Sequence, residues 1–277
     1  MGRYADRSDR MKLRLTGEQR LWFLHQILTQ DFEDMVPGEA RDALMLTVHG
    51  RIRAFVESVA TDDALLMHGE PDLRATFPEE LRRYVFATRV EIEDVSDDLG
   101  LILLVGPDWE QVARDVAPAA VPHPTSGIGV DAGYLWVGTT DVAEVRATLV
   151  SRGLDEISEG ELELLRIEHR IPRWGQEMDE KTLPQEVAID SSAVHYEKGC
   201  YLGQEAMAKI HFRGKVNRRL VRLALSSPVA EGDLMLADER VGRITTSSGS
   251  SALGIVRTSV PAEAELSVGT ASATVLD

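Results

Sequence analysis

The spacing of hydrophobic residues along the chain predicts a mixture of helices and short strands. Hydrophobic positions three and four residues apart predict helices over residues 17–31, 78–86, 108–117, 141–153 and 158–169. Thr16 with Gln19 and Ser158 with Glu161 have the spacing of a capping box and are predicted to open the first and the last of these helices. Short apolar or alternating runs predict strands over residues 43–48, 52–60, 65–68, 89–95, 101–105 and 134–137. Only His49-Gly50-Arg51 separates the first two strands, so they are expected to form a hairpin. The order of these elements favours helices packed on an antiparallel sheet.

The chain changes character towards its C-terminus. After Asn217, six short apolar runs are broken by Gly, Pro and Ser at close intervals, which predicts a small β-barrel over residues 216–277. Residues 118–127 are rich in turn formers and predict a surface loop. Residues 170–198 show little periodicity. Because long irregular segments are uncommon in compact proteins, this one is expected to line a functional site.

Composition narrows the class of protein. Of the 277 residues, 43% are hydrophobic and 27% are charged, which is typical of a globular chain of two or three compact units. The apolar runs, such as residues 101–105, are far shorter than the roughly 20 residues of a membrane span. Residues 1–12 are charged and lack the apolar stretch of a secretory signal. We therefore expect a cytoplasmic protein that does not bind membranes.

Cys200 is the one cysteine of the sequence, which excludes an intrachain disulfide. Structural zinc sites and iron–sulfur clusters draw on several thiolates or on closely spaced Cys/His sets. Only His195 and His211 lie near Cys200 in sequence. We expect no metal held by this chain alone, and ordinary polar or core roles for the two histidines.

The chain is acidic but contains a local basic stretch. Thirty basic and forty-six acidic residues give a net charge of −16, which argues against direct binding of nucleic acid. Residues 198–222 nevertheless hold seven basic residues and one acidic residue. A compact positive patch in an acidic protein attracts anionic ligands, and Lys198, Arg213 and Lys215 are the candidates for this contact. The alternative is a solvated run of charges.

The densest group of chemically capable residues is Lys198-Gly199-Cys200-Tyr201-Leu202-Gly203-Gln204-Glu205, which leads into a predicted short helix. A helix N-terminus and a neighbouring lysine both favour a thiolate over a thiol. The sequence therefore predicts that Cys200 is a reactive thiol, with Lys198 beside it. The alternative is that a lone cysteine is simply a small buried apolar residue.

This octapeptide resembles the K-G-C-[FY]-x-G-Q-E signature of the YgfZ family, the folate-binding relatives of the glycine-cleavage T-protein. Residues 166–175 and 179–186 are similar to the R-I-E-x-G-I-P-x-x-G and D-E-K-T-L-P-Q-E segments of that family, except that His169-Arg170 replaces the usual Ala-Gly. Residues 24–31 resemble its L-x-x-x-x-T-x-D helix end, and Gly50-Arg51 resembles its G-R turn. The resemblance covers nearly the whole chain.

The resemblance implies an α+β fold: a three-domain cloverleaf of the glycine-cleavage T-protein type with a C-terminal β-barrel-like domain. The implied domains are a discontinuous folate-binding unit of residues 1–48 plus 158–215, a second α+β unit of residues 49–157, and the barrel of residues 216–277. It also implies non-covalent binding of tetrahydrofolate or a derivative in a central channel. Finally, it implies a role in assembly, maintenance or repair of iron–sulfur proteins, including one that modifies tRNA. The partners would be folate and iron–sulfur client proteins, and we expect a monomer because no heptad pattern demands a partner.

A reduced pterin carries an amide and a 2-amino group whose N–H bonds a carboxylate can accept in a pair. Glu168 matches the R-x-E carboxylate of the family and is the predicted pterin anchor, although a Glu on an amphipathic helix is usually a solvated residue. The predicted cofactor-binding residues are Glu168, Arg173, Gln204, Glu205, Arg213 and Lys215. Whether Cys200 acts as a transient ligand, a redox group or a one-carbon acceptor stays open.

The lack of an acidic residue at one position distinguishes this interpretation from that of a T-protein-type transferase. T-proteins use an acidic residue a few positions after the Gly-rich turn, in a G-G-x-x-D-D-like segment, to position or protonate the reacting nitrogen. Ala54 and Phe55 stand where those carboxylates would be. A folate-dependent aminomethyltransferase or methyltransferase of the T-protein type is therefore the less favoured alternative. A non-catalytic interaction domain is a third possibility.

Overall fold

The structure is a computed structural model that describes residues 2–277. The elements of its N-terminal third are β1 (Arg3–Asp6), β2 (Met11–Thr16), α1 (Arg20–Ile27), β3 (Ala40–Leu46), β4 (Ile52–Ala60), β5 (Ala64–Gly69), α2 (Phe77–Arg82) and β6 (Glu91–Asp94). The middle holds β7 (Leu99–Val105), α3 (Trp109–Val116), β8 (Val121–Thr125), β9 (Ala132–Gly138), α4 (Val142–Ser151), β10 (Asp155–Glu156) and α5 (Glu159–Glu168). The remainder holds α6 (Asp190–Ala193), α7 (Gln204–Arg213), β11 (Arg218–Leu225), β12 (Gly232–Leu236), β13 (Glu239–Ser248), β14 (Ser251–Arg257), β15 (Glu265–Val268) and β16 (Ala271–Val275).

The first sheet is five-stranded and antiparallel, with the strand order β3-β4-β5-β2-β6. Helix α1 covers one of its faces, where Phe23 and Leu24 of the helix share a buried core with Leu13 and Leu15 of β2. Each of these strands contributes alternate residues to that core, because side chains point to opposite faces of a sheet with a period of two. The opposite face of the sheet is available for packing against other parts of the chain.

The second sheet has the order β10-β1-β7-β9-β8, with β1 parallel to β10 and the other pairs antiparallel. Helices α3 and α4 pack on one face through Trp109 and Leu149. The other face carries Leu103 and Trp136, which share a core with Val59 and Leu66 of the first sheet. The two sheets therefore pack against each other with their helices on the outside.

The C-terminal unit is a closed six-stranded barrel with the order β11-β14-β13-β12-β15-β16. Alternate residues of its strands fill a separate apolar interior. The prediction of a small β-barrel is confirmed, and so is the mixed α+β class of the whole chain. No described helix is both long enough and apolar enough to cross a bilayer.

Several local predictions are also confirmed. The hairpin β3–β4 forms around residues 47–51, and the Ser158/Glu161 capping box opens α5. The box predicted at Thr16 is wrong, because α1 begins only at Arg20 and the Gln19 Oε1 atom instead accepts the backbone N–H of Arg89 at 2.8 Å. Glutamine is long enough to satisfy a distant donor, so its spacing alone does not define a cap.

The structure also contains strands where the sequence pattern predicted none. The charged N-terminal segment forms β1 and β2, which the pattern misses because Lys12 lies in β2 and is fully buried. The predicted loop over residues 118–127 contains β8, a strand at the edge of the second sheet. Its Pro122 and Pro124 are tolerated there because an edge strand pairs on one side only, so alternate backbone nitrogens need no partner.

The two sheets group strands across the domain boundary predicted at residues 48/49, whereas the division of the chain into domains at residues 48/49 and 157/158 stays a prediction. Strands β3 and β4 lie on either side of residue 48 yet are hairpin partners in one sheet. The first sheet takes residues 11–94, whereas the second combines β1 with strands from residues 99–156. A turn within one sheet and a turn between two sheets look alike in sequence, so tertiary pairing alone defines this boundary.

Candidate functional site

A cavity of about 340 Å³ lies where the two sheets, α5 and the irregular segment after α5 meet. Strands β3, β4 and β5 supply one wall, β7 and β9 supply another, and residues 169–174 and 187–192 close the space. The volume falls within the roughly 300–1,000 Å³ range of small-molecule sites. The irregular segment of residues 170–198 therefore lines the cavity, and the function of this cavity stays a prediction.

Strand alternation brings ionisable side chains to this wall. Phe55 and Glu57 lie two residues apart on β4 and both line the cavity, as do His68 and Glu70 at the end of β5. Arg10, from the turn between β1 and β2, also reaches the cavity. A charged residue in an otherwise apolar strand is buried at a cost unless it finds partners.

The partners form a chain of alternating charges along the wall. Arg10 donates to Glu57 and to Glu70, each at 2.9 Å. Glu70 is bound in turn by Arg173 at 2.9 Å, and the same guanidinium binds Glu163 of α5 at 2.8 Å. Segments more than 100 residues apart in sequence are therefore joined by ion pairs.

The chain of charges continues to the barrel. Glu163 binds Arg166 at 2.7 Å, and Arg166 binds the buried Glu177 at 2.7 Å. The Thr246 hydroxyl on β13 donates to Glu177 at 2.6 Å and accepts from Arg166 at 3.0 Å. The network thus connects the first sheet, α5 and the barrel around one cavity.

The electrostatics of the wall follow from these pairs. Burial by itself raises the pKa of Glu70, but Arg10 and Arg173 outweigh it and hold that pKa below its usual value. Arg166 and Arg173 do the same for the pKa of Glu163 against the effect of burial. Both carboxylates are consequently ionised at neutral pH. Asp42 on β3 differs, because burial and then the charge of Glu57 raise its pKa to about 7.

Two histidines lie at the same wall or behind it. His68 lines the cavity and its ring lies 5.0 Å from that of His123, centroid to centroid. Burial lowers the pKa of His123 to about 3, and burial together with Arg10 lowers that of His68 well below its usual value. Both rings are therefore neutral at pH 7.

Lys198 lies away from the cavity, at the end of α1. Its ammonium donates to the carbonyls of Leu28 and Gln30, each at 2.7 Å, and to that of His25. These carbonyls belong to the last turn of α1 and the residues after it, which have few donors of their own. Burial lowers the pKa of Lys198 to about 8. The contacts give this lysine a structural role in ending α1.

The rest of the octapeptide is also outside the cavity wall. Cys200 is exposed, so the apolar alternative for this thiol is excluded. Helix α7 begins at Gln204, four residues after Cys200, and the Gln204 amide donates to the Lys198 carbonyl at 3.5 Å. Glu205 is exposed. The predicted functional thiol is therefore accessible at the surface.

The remaining predicted ligands are dispersed. Arg173 lines the cavity, whereas Glu168, at the end of α5, is exposed and is not part of the lining. Lys215 is exposed beside the end of α7, and the side chain of Arg213 lies outside the described part of the structure. Of the six predicted cofactor-binding residues, the cavity thus holds Arg173, and Glu168 stays a prediction from sequence.

The two positions that distinguish a transferase differ in their surroundings. Ala54 is buried in the core of the first sheet, and Phe55 lines the cavity. The next cavity-facing residue on the strand is Glu57, whose carboxylate is already paired with Arg10. A carboxylate does approach the cavity from this strand, but two positions beyond Phe55.

The two histidines near Cys200 in sequence have different surroundings. His211 stacks on Tyr196 with the ring centroids 3.7 Å apart, and His195 lies beside a separate surface groove. Within residues 2–277, no group of three or more His, Cys, Asp or Glu side chains has the geometry of a metal site.

Sequence reasoning missed most of the cavity wall, namely Arg10, Asp42, Glu57, His68, Glu70, Tyr134, Glu163 and Arg166. A signal was present for two of them. Glu57 and His68 each interrupt an apolar strand, and such a residue is buried only with a partner or a purpose. The partners themselves could not be found this way, because they come from distant segments.

The complete fold is of the glycine-cleavage T-protein type. The crystal structure of the glycine cleavage system aminomethyltransferase T from Bartonella henselae superposes with a TM-score of 0.87 and covers 100% of this chain and 85% of that protein, at 16% sequence identity. This similarity confirms the predicted three-part architecture with its C-terminal barrel. The family described as CAF17, C-terminal beta-barrel domain, matches residues 217–277.

Two curated relatives cover most of the chain. A chloroplastic protein of Arabidopsis thaliana, named as a candidate transferase, is 26% identical over 259 residues, which are 86% of this chain and 60% of that protein. The aminomethyltransferase of Thermotoga petrophila is 27% identical over 266 residues, which are 86% of this chain and 72% of that enzyme. The chain thus spans about three fifths of the plant relative.

Proposed function

We propose that this chain binds a reduced folate, tetrahydrofolate or a derivative, non-covalently in the central cavity. The main support for the proposal is the cavity. It lies between the two sheets, α5 and the irregular segment of a T-protein-type fold, and it is lined by paired carboxylates and guanidiniums. A relative of similar sequence is named an aminomethyltransferase, which supports a one-carbon carrier as the ligand class.

The lining suits the parts of a folate. Phe55, Tyr134 and Trp174 offer apolar faces for a flat pterin ring. Glu163 offers carboxylate oxygens to the N–H groups of the pterin edge, and its side chain retains 20% of its exposure. Arg170 lies on the lining, where it is paired with Asp277 at 3.5 Å, and it is the proposed cation for the glutamate tail.

Isothermal titration with tetrahydrofolate under reducing conditions tests this proposal. We expect micromolar or tighter binding, and its absence at high micromolar ligand would refute the site. Glu163→Gln is expected to weaken binding by about 1–3 kcal/mol, the scale of a lost charged hydrogen-bond partner. Glu168→Gln is the matched comparison on the same helix. If Glu168→Gln is the variant that weakens binding, the family motif and not the cavity lining identifies the anchor.

We further propose membership of the YgfZ family and a cytoplasmic role in maintaining iron–sulfur proteins. This proposal rests on the K-G-C-Y-L-G-Q-E octapeptide and on the accessible thiol of Cys200. Complementation of a strain that lacks the family member, scored by the activity of an iron–sulfur enzyme, tests it. Cys200→Ser should abolish rescue, whereas full rescue by that variant would favour a non-catalytic interaction domain.

The alternative is a folate-dependent transferase of the T-protein type. The names of the relatives favour it, whereas Ala54 and Phe55 oppose it because neither can hold or move a proton. Turnover of an aminomethyl donor in the presence of tetrahydrofolate separates the two functions. We expect no turnover above background.

A further inference from the structure

Two carboxylates face each other across β3 and β4 at the cavity wall. Asp42 of β3 is the register partner of Glu57 of β4, and both line the cavity. Directly opposed residues of antiparallel strands point to the same face with their Cβ atoms about 4.5–5.5 Å apart, where like charges destabilise each other. The pair therefore favours a state in which one member keeps a proton.

Glu57 is the member that holds the negative charge. Arg10 donates to its Oε2 atom at 2.9 Å, and the Thr125 hydroxyl donates to its Oε1 atom. Asp42 has one long hydrogen bond, 3.4 Å from the Ser126 hydroxyl, and no ion pair among the described residues. Because Glu57 is stabilised as an anion and Asp42 is not, the proton resides on Asp42.

The acidity of Asp42 agrees with this geometry. Burial and the neighbouring Glu57 raise its pKa to about 7. A carboxyl group with such a pKa is about half protonated at neutral pH, whereas an ordinary aspartate is ionised there. Small changes of pH near 7 consequently change the hydrogen-bonding character of this part of the wall.

His68 provides a second, independent sign of a ligand at this wall. Its Nδ1 atom lies 3.1 Å from Nη1 of Arg10, which can only donate, so Nδ1 accepts and Nε2 carries the proton. Nε2 is buried and has no partner in residues 2–277. A buried donor without an acceptor destabilises the structure, and an acceptor on a ligand or a water would remove this penalty.

The other ionisable groups near Asp42 come from segments throughout the chain. Those that border its cavity or the adjoining groove are Arg7, Arg10, Asp31, Asp34, Glu39, Arg41, Glu57, His68, Glu70, Tyr134, Glu163, Arg166, His169, Arg170, Arg173 and His195. Each arginine among them already has a carboxylate partner, namely Glu159 for Arg7, Glu57 and Glu70 for Arg10, Asp34 for Arg41, Glu163 for Arg166 and Arg173, and Asp277 for Arg170. Among the described residues, Asp42 has no cation of its own.

We propose that Asp42 enters the complex as a neutral acid and donates a hydrogen bond to the bound reduced pterin, so that affinity falls as the pH rises through neutrality. This inference rests on the folate site proposed above. The carboxyl proton remains on Asp42 in the complex, and at higher pH it leaves to solvent. An acceptor atom of the ligand then faces a carboxylate, and the contact becomes repulsive.

Titration calorimetry with 5-formyltetrahydrofolate at pH 6 and pH 8 tests the contact. If only the neutral acid binds, the wild-type Kd at pH 8 is expected to be about tenfold higher than at pH 6. Asp42→Asn keeps a donor without an acid, so its Kd should match the wild-type value at pH 6 and should not change with pH. Asp238→Asn, an exposed change in the barrel, should retain the tenfold dependence. A wild-type Kd that is equal at both pH values overturns the inference.

A measurement without ligand separates this inference from the folate site. Carbon-13 NMR of labelled aspartate carboxyl groups gives the titration midpoint of the signal that Asp42→Asn removes. A midpoint near 7 is expected, and a midpoint near 4 overturns the inference even if folate binds. A midpoint near 7 without binding at either pH refutes the folate site and, with it, the proposed contact.

Discussion

At the scale of single residues, the structure distinguishes buried polar groups that stabilise the fold from exposed groups that are accessible for reaction. Lys198, which the motif placed beside the thiol, is 7% exposed and its ammonium is surrounded by carbonyl oxygens. Cys200, two residues further on, is exposed. Neighbouring residues of one motif therefore have different roles, because the backbone turns between them.

The role of Lys198 leads to a stability prediction. Lys198→Met keeps the apolar stem but leaves the carbonyls at the end of α1 without a donor, so we expect a loss of about 2–4 kcal/mol in the free energy of unfolding. Urea denaturation measures this loss. Lys209→Met, on the exposed side of α7, is the control and should change stability by less than about 0.5 kcal/mol. A Lys198→Met protein of normal stability but no activity would instead support a catalytic lysine.

His123 predicts how stability depends on pH. Its folded-state pKa of about 3 lies below the usual value of 6.5, so the unfolded chain takes up a proton first as the pH falls. Stability is fully present above pH 6.5 and falls by about 1.4 kcal/mol for each unit below it. His123→Phe should flatten that decline between pH 6 and pH 4, as measured by thermal unfolding. The exposed His49→Asn should leave the decline unchanged.

At the scale of elements, close contacts fix how the motif joins the first sheet. Gly203 precedes α7 with φ +86°, and a Cβ there would lie 2.5 Å from the Thr47 carbonyl oxygen in the β3–β4 turn. Gly50 of the same turn approaches Ala206 of α7. The glycines of the octapeptide and of the turn therefore let the two segments touch.

This contact can be distinguished from backbone strain alone. Gly203→Ala introduces both a positive φ for alanine and a clash with backbone, and we expect a loss of about 2–4 kcal/mol. Gly153→Ala is the matched control, because Gly153 has φ +82° but nothing within 4 Å of the added Cβ. It should lose only about 1–2 kcal/mol. Equal losses in urea denaturation would show that the contact contributes nothing.

At the scale of the whole molecule, the chain of alternating charges joins units that the sequence keeps apart. It begins at Glu57 in the first sheet and ends at Thr246 in the barrel. Each buried charge depends on its neighbours, because an unpaired ion in the interior is costly. The same groups that line the cavity therefore also fix the barrel against the N-terminal units.

Thr246 tests this coupling without changing any charge. Thr246→Val removes the hydroxyl between Glu177 and Arg166 at nearly constant volume, and we expect a loss of about 1–3 kcal/mol in unfolding free energy. Thr274→Val, on β16 of the same barrel, replaces a partly exposed threonine and should cost less than about 0.5 kcal/mol. If both variants have the same stability, the end of the charge chain does not hold the barrel.

The sequence predicted the helices and strands well but the residues of the cavity poorly, because the first depend on local patterns and the second on contacts between distant segments. The capping box at Ser158 and the β3–β4 hairpin depend on residues a few positions apart, so a local pattern contains them. Glu163 was passed over in favour of Glu168, which is on the exposed side of the same helix. Periodicity gives the faces of a helix, but it does not give the partner that each face will meet.

What the sequence by itself determined is the mixed α+β class and the barrel, because each follows from short-range spacing of side chains. The tertiary structure alone decided which charges surround the cavity. Arg10, Glu70, Glu163 and Arg173 are buried or half-buried only because each finds a counter-charge from another segment, and that condition is met after the sheets, α5 and the irregular segment have packed together.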